Sequence, residues 1–404
     1  MRIAIINMYA TMGSTGTIAY GLFRFLKENG HEVILCYGRQ NRIKDLADAY
    51  HDQSKAEEKL HGVLSALTGL QGYFSDCGTT KMLKRFDRFR PEAAILINIH
   101  SGFLHEERLW KYFVRHNTRV VYVMADEYAM LGNCCYSYDC KQYLTGCEKC
   151  PDIRRYPKSL FFDVAAKVVG MKKRYYDLMG DRLSFVAPAI NIEKAKVSYL
   201  LRGRDLAECN WGIDLEKYHP RDAREVCAVR EKYGIPQDRK VVLAVGAFSD
   251  PRKGLKAHFL ECARRTRRRD LLFVNVGYDG DEELPENFLP IGYVKAQDEL
   301  CALFTLAELT VMPSRGETLP LTALMSLACG TPLCCFDADG LHFLGEGRHN
   351  RLVASEDTET LLAAVEQAGK DAETEQICID YVRHNYLDSE FYRTVLRLAS
   401  EDKG

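Results

Sequence analysis

Short apolar runs rich in β-branched residues alternate with longer stretches whose apolar positions recur at helical spacing. The alternation continues along most of the chain and predicts parallel strands joined by crossover helices. In the first half, Arg2–Asn7, Glu32–Tyr37, Ala93–Ile99, Arg119–Met124 and Leu183–Ala187 read as strands. After the first of these, Ile18, Leu22 and Leu26 repeat every four residues, which predicts a helix over Thr15–Asn29 with Gly30 as its stop. A second series begins near Lys240, with strands Val241–Val245, Leu271–Val276, Leu309–Met312 and Pro332–Phe336, and a weaker one at Pro290–Tyr293. Its helices are expected over Gly254–Arg264, Gln297–Ala307 and Leu319–Cys329. Between the series, Leu215–Arg239 is rich in charge and carries Pro220 and Pro236, so it reads as the connection into a second domain. Two consecutive doubly wound halves of an α/β protein imply a ligand cleft facing the carboxyl ends of their strands.

Composition narrows the class. A chain of 404 residues with 47% hydrophobic and 27% charged residues suits a soluble globular protein of two or three domains. A net charge of -1 provides no overall field to recruit nucleic acid or an anionic membrane. One basic run, Arg264, Arg265, Arg267, Arg268 and Arg269, reads first as a solvated helix end, and second as a patch for acidic lipid or a phosphorylated acceptor. The opening Met1–Asn7 run is too short for a signal peptide, and no apolar run reaches the ~18 residues that span a bilayer. The expected location is the cytoplasm, with peripheral contact at the inner face of a membrane compatible with it. The 15 cysteines are then reduced thiols or metal ligands.

Four stretches carry candidate chemistry. Gly13, Ser14, Thr15 and Gly16 follow the first strand and open a helix, where backbone amides favour phosphate; a tight turn needs glycine in any case. Asp250-Pro251-Arg252-Lys253-Gly254 follows the first strand of the second series and places two cations at a helix start, suited to a pyrophosphate or simply exposed in a loop. Pro313–Pro320 leads from a strand end toward a helix and carries Glu317, an acceptor for sugar hydroxyls or a helix-capping carboxylate. Cys134, Cys140, Cys147 and Cys150 lie within one short stretch and close on a C-x2-C pair, which suits a tetrahedral structural zinc. Cys135 competes as a ligand, and thiols packed in a loop are the alternative.

Together these features resemble the nucleotide-sugar glycosyltransferases of family 4, over nearly the whole chain. The strongest part is Ser314–Gly330, where the family carries Glu-x7-Glu running into Ala-Cys-Gly-Thr-Pro. Asn210-Trp211-Gly212-Ile213-Asp214 resembles the family's hinge, and Asp388–Ser400 its terminal helix. A branch acting in bacterial exopolysaccharide and capsule assembly matches better still. It carries a His-Asp turn, a glycine pair and a cysteine cluster ending Cys-Pro, here Ala125-Asp126, Gly132-Asn133-Cys134 and Gly146–Pro151, with Asn98–Gly102 upstream.

The resemblance implies a GT-B fold, two Rossmann-like doubly wound domains facing across a cleft. Residues 1–214 would form the acceptor side and 215–387 the donor side, with a helix over 388–404 packing back on the first domain. It implies donor-binding roles for Gly13, Ser14, Thr15, Gly16, Arg252, Lys253, Thr318 and Leu319, catalytic roles for Glu317 and Asp126, and an acceptor-side role for His100. The implied activity is retaining transfer of a hexose from a UDP- or GDP-linked donor to a glycan or lipid-linked acceptor, without a catalytic metal; the expectation of no nucleic acid as a partner rests on the net charge instead.

The sequence departs from this pattern at one cleft. Met325 replaces the second Glu, which the family uses on the ribose, and methionine cannot replace a carboxylate as acceptor. Ala125 replaces the His of the His-Asp turn, Ala247 an arginine, and Arg351 a glycine, while Trp211 adds bulk at the hinge. Two readings follow: an active transferase, or a non-catalytic GT-B subunit that binds glycan or stabilises an active partner.

Overall fold

The computed structural model describes residues 1–43, 46–100 and 102–401. Ser101 and the last residues of the 388–404 tail lie outside the described residues. Internal contacts divide the chain into two units, Met1–Asn210 with Glu390–Gly404, and Trp211–Ser389.

The first unit is built on seven parallel strands: β1 (Arg2–Asn7), β2 (Glu32–Tyr37), β3 (Ala49–His51), β4 (Ala93–Leu96), β5 (Arg119–Val123), β6 (Leu183–Ala187) and β7 (Asp205–Glu208). Their order is β3-β2-β1-β4-β5-β6-β7. The chain winds outward from β1 on one side and resumes at β4 on the other, so the loops leaving β1 and β4 flank the switch point. The second unit repeats the plan with β8 (Lys240–Val245), β9 (Leu271–Val276), β10 (Phe288–Ile291), β11 (Ala307–Met312), β12 (Leu333–Phe336) and β13 (Asn350–Val353), in the order β10-β9-β8-β11-β12-β13. Here β8 and β11 flank the switch point. Both arrangements are Rossmann-like.

The apolar runs become strands because both faces of a doubly wound sheet are covered by helices. Ile3–Ile6, Ala93–Leu96, Val241–Ala244 and Leu333–Phe336 are all buried. Three expected boundaries moved for local reasons. The run Ala93–Ile99 leaves the sheet after Leu96, because the Asn98 amide bonds the Asn7 side chain at 3.1 Å instead of a strand carbonyl. The weak strand at Pro290–Tyr293 forms earlier, at Phe288–Ile291, and Pro290 is tolerated because β10 is an edge strand. The helix expected over Leu319–Cys329 spans Leu321–Ala328, since Pro320 occupies its N-cap.

The arginine run lies at the end of the helix Leu260–Arg265 and beyond it. Arg265 pairs with Glu359 at 2.5 Å and Arg268 with Asp270 at 2.5 Å. No helix among the described residues is long and apolar enough to cross a membrane.

Candidate functional site

In the second unit the loops leaving β8 and β11 lock together through glycine. Gly254 has φ +66°, and a Cβ there would sit 2.1 Å from the Pro313 carbonyl oxygen, so only glycine permits the approach. The Arg315 amide then bonds the Arg252 carbonyl at 2.9 Å. Gly340 seals the other side by donating its amide to the Glu317 carbonyl at 2.7 Å. Trp211, which the sequence marks only as extra bulk, donates its indole Nε1 to the Leu319 carbonyl at 2.8 Å.

This frame aims two cations at one carboxylate. Glu317 Oε1 accepts from Lys253 Nζ at 2.6 Å and from an Arg252 guanidinium nitrogen at 2.9 Å. Asp250 steers the arginine, accepting the Arg252 amide at 2.9 Å and its side chain at 3.2 Å. Burial pushes the Glu317 carboxyl up, but the charges of Lys253 and Arg252 outweigh it and hold the group below the usual glutamate value. The cluster is thus a buried anion held by two cations, and a phosphate could compete for the same donors. Thr318 and Leu319 follow directly and are buried. Met325 is half-buried on the helix beyond them.

In the first unit the helix after β1 starts at Gly13, two residues earlier than its periodicity suggests. Its N-cap is Met12, which offers no side-chain acceptor to the first amides. Such a helix end attracts anions. Gly13 takes φ +64° to open the turn, and Gly16 packs so tightly that a Cβ would lie 2.8 Å from the Thr11 carbonyl carbon. Ser14 is exposed and Thr15 half-buried.

His100 leaves β4 and Asp126 leaves β5, and they meet. His100 Nε2 lies 2.6 Å from Asp126 Oδ2. The other carboxylate oxygen accepts the Tyr128 amide at 2.9 Å, and Asn191 fixes the turn by donating to the Met124 and Asp126 carbonyls at 3.0 and 3.3 Å. Cys135 joins them, its Sγ 3.3 Å from His100 Nε2. These three side chains form a group of ligand atoms within 4.8 Å of one another. The 2.6 Å separation is that of a short hydrogen bond between imidazole and carboxylate. Two ligands held tetrahedrally at about 2.0 Å from zinc would lie about 3.3 Å apart.

Cys134, Cys140, Cys147 and Cys150 share one neighbourhood beside this group. Burial, then Cys147, Cys150 and Cys140, push the Cys134 thiol up to about 12. Burial also raises the Cys147 and Cys150 thiols, opposed in part by the backbone of Gly132 and Asp152 respectively. Among the described residues, the donor atoms gathered to metal distance are those of His100, Asp126 and Cys135, not these four sulfurs. Lys172, which no motif flagged, is wholly buried beneath the loop and caps the Tyr128 and Leu131 carbonyls at 2.5 and 2.9 Å. Burial lowers its ammonium pKa, opposed by Glu106 and the neighbouring thiols. In sequence it stands in Met171-Lys172-Lys173-Arg174, a stretch that reads as exposed.

Comparison with known proteins follows this geometry. Residues 239–371, which carry Arg252, Lys253 and Glu317, match the family model described as Glycosyl transferases group 1. The chain is 32% identical over 175 residues to D-inositol 3-phosphate glycosyltransferase 2 of Catenulispora acidiphila, covering 39% of this chain and 40% of that protein. It is 24% identical over 157 residues to alpha-galactosylglucosyldiacylglycerol synthase of Streptococcus pneumoniae, covering 36% and 41%. These matches thus span about two fifths of the relatives' length. Among solved structures, sucrose-phosphate synthase from Thermosynechococcus elongatus superposes with a TM-score of 0.70 at 15% identity, over 98% of each chain. HepE of Anabaena in complex with UDP-glucose gives 0.66 at 12% identity, over 99% of each. The fold of this chain is GT-B, and its second unit carries the segment similar to group 1 glycosyl transferases.

Proposed function

We propose that the chain is a glycosyltransferase that moves a hexose from a UDP- or GDP-linked donor to a glycan or lipid-linked acceptor, with retention and without a catalytic metal. The observation that carries the reading is the convergence of Lys253 and Arg252 on buried Glu317, inside the segment that matches the group 1 model. In this reading the diphosphate takes over the two cations, and Glu317, released from them, accepts hydroxyls of the donor sugar beside Thr318 and Leu319. The Gly13–Gly16 helix end offers further amides for phosphate. His100 and Asp126 serve the acceptor side. The acceptor oxygen bonds to the anomeric carbon as the bond to the diphosphate breaks, and the acceptor proton passes to a phosphate oxygen of the leaving group. Stabilising that departing charge is then the main catalytic contribution of the cations.

The reading places this work on polysaccharide in the cytoplasm, peripheral to the inner face of a membrane. The reading includes a structural zinc on Cys134, Cys140, Cys147 and Cys150, supported by the closing C-x2-C pair and the shared neighbourhood of the four thiols. Metal analysis of reduced protein, purified without metal-affinity steps, is expected to find about one zinc per chain; none would remove the metal from the reading.

Met325 and Ala125 favour a second reading, a non-catalytic GT-B subunit that binds glycan or stabilises a partner. Calorimetric titration with a panel of nucleoside diphosphates separates the two. Binding of UDP or GDP, together with sugar transfer, supports the enzyme; no binding by any of them supports the subunit.

A further inference from the structure

One face of the first unit is apolar, positively charged and exposed. The helix Lys55–Thr68 turns Leu60, Val63 and Leu67 outward, 56%, 57% and 40% exposed. Their spacing places them on one stripe of the helix. An apolar stripe ordinarily faces the core, yet the residues this helix buries are His61 and Ser65. The chain after the cysteine cluster folds back beside it. Leu160 donates its amide to the Ala66 carbonyl at 2.7 Å. At the helix end, a Cβ on Gly69 would lie 2.9 Å from Ser159 Oγ and 3.1 Å from the Phe162 carbonyl oxygen. This sets Phe161 and Phe162, 66% and 59% exposed, next to the helical stripe.

The charges around the face do not balance locally. Lys59, Arg154 and Lys158 are exposed and, among the described residues, form no ion pair. Of the nearby carboxylates, Glu58 and Asp152 are paired with Arg39 and Arg155, while Glu57 and Asp163 accept only backbone amides and keep their charge, so the three unpaired cations exceed the two unpaired carboxylates. The arginines at the end of the helix Leu260–Arg265 differ, since Arg265 and Arg268 already hold carboxylates.

We propose that this face docks the protein on an anionic bilayer, with Phe161, Phe162, Leu60 and Val63 at the headgroup boundary and Lys59, Arg154 and Lys158 against lipid phosphates. Exposed aromatic and aliphatic side chains beside long cationic ones suit that interface, where the stems lie on apolar groups and the charges meet anionic lipid. A protein partner fits less well, because lysine is depleted in protein interfaces. The proposal deepens the acceptor side of the glycosyltransferase reading by giving a lipid-linked acceptor a surface to approach from.

Co-sedimentation of the full chain with vesicles tests it. The protein is expected to bind phosphatidylcholine vesicles containing phosphatidylglycerol, more weakly those of phosphatidylcholine alone, and to be released by salt. The pair Phe161→Ser with Phe162→Ser should weaken partitioning at least about tenfold. Lys158→Gln should weaken it about fivefold on the anionic vesicles only. Both variants should keep the wild-type melting temperature and nucleoside-diphosphate affinity, since the altered side chains are exposed and outside the Glu317 cluster. Absence of binding to anionic vesicles overturns the proposal, as does binding that neither variant changes. So does sedimentation showing that the aromatic pair holds two copies together in a chain that ignores vesicles. Nucleotide titration is read separately, so failure of docking and failure of the glycosyltransferase reading are distinguishable.

Discussion

The two units each place a carboxylate just beyond a parallel strand, and surround it differently. Glu317 is held by two full cations, Lys253 and Arg252, and stays ionised against its burial. Asp126 faces an imidazole, with the buried Cys135 thiol beside it. Glu317 follows β11 at the switch point of its sheet and Asp126 follows β5, one strand beyond the switch point of the other, so neighbouring strand ends of one fold carry two different surroundings. In the proposed function the carboxylate clamped by Lys253 and Arg252 is where a diphosphate takes over the cations. In the proposed function the histidine-bonded Asp126 belongs to the acceptor side.

That contrast can be broken from either side. The largest effect is expected at the histidine pair. Asp126→Asn or His100→Ala should lower transfer about a hundredfold through lost orientation, with nucleoside-diphosphate affinity unchanged. Steady-state kinetics beside calorimetry checks this, and a loss confined to nucleotide affinity would move both residues out of the acceptor role. At the cationic cluster, Lys253→Ala should weaken nucleoside-diphosphate binding by about 1.5–3 kcal/mol, or tenfold and more. Arg252→Ala should weaken it less, because Arg252 is also committed to Asp250 and the Gly316 carbonyl. The reverse order in calorimetry would exchange their roles.

Met325→Glu sharpens the comparison by restoring a ribose acceptor. A gain of about tenfold for UDP or GDP is expected. Lower melting without tighter binding would mean that the new carboxylate is buried unpaired, and would favour the non-catalytic subunit. The smallest effect concerns pH. The Glu317 carboxyl is depressed in the folded state, so its contribution to stability is complete above the ordinary glutamate range. It is lost as pH falls through the lowered folded value. Glu317→Gln should therefore melt lower at neutral pH and show a flatter decline with acid. An acid branch as steep as that of the wild type would show that Glu317 does not titrate there.

Much of the frame was legible in the chain. Arg2–Asn7, Glu32–Tyr37, Leu183–Ala187 and Leu271–Val276 are strands over the expected bounds, because continuous apolar runs between turns have few alternatives in a parallel sheet. The edge strands Ala49–His51, Asp205–Glu208 and Asn350–Val353 were not. They are short, and Asp205–Glu208 carries no buried residue, so hydropathy has little to report. Among candidate site residues, Arg252, Lys253 and Glu317 stood out by the order of strand, turn and charge, but only the resemblance to family 4 singled them out over an exposed loop and a helix cap. Their meeting on one oxygen could not be read from the sequence, because it depends on Gly254 passing under Pro313.

The sequence by itself determined the alternation of strand and helix, the doubly wound class, and which polar residues stand just beyond the strands. Each of these follows from local periodicity and turn chemistry. Only the tertiary structure decided partners. It sent Cys135 to His100, buried Lys172 under three carbonyls, and left Leu60, Val63, Phe161 and Phe162 facing outward. Those outcomes depend on which loops the strand order brings together, and contacts between residues far apart in the chain leave no trace in the spacing of either one.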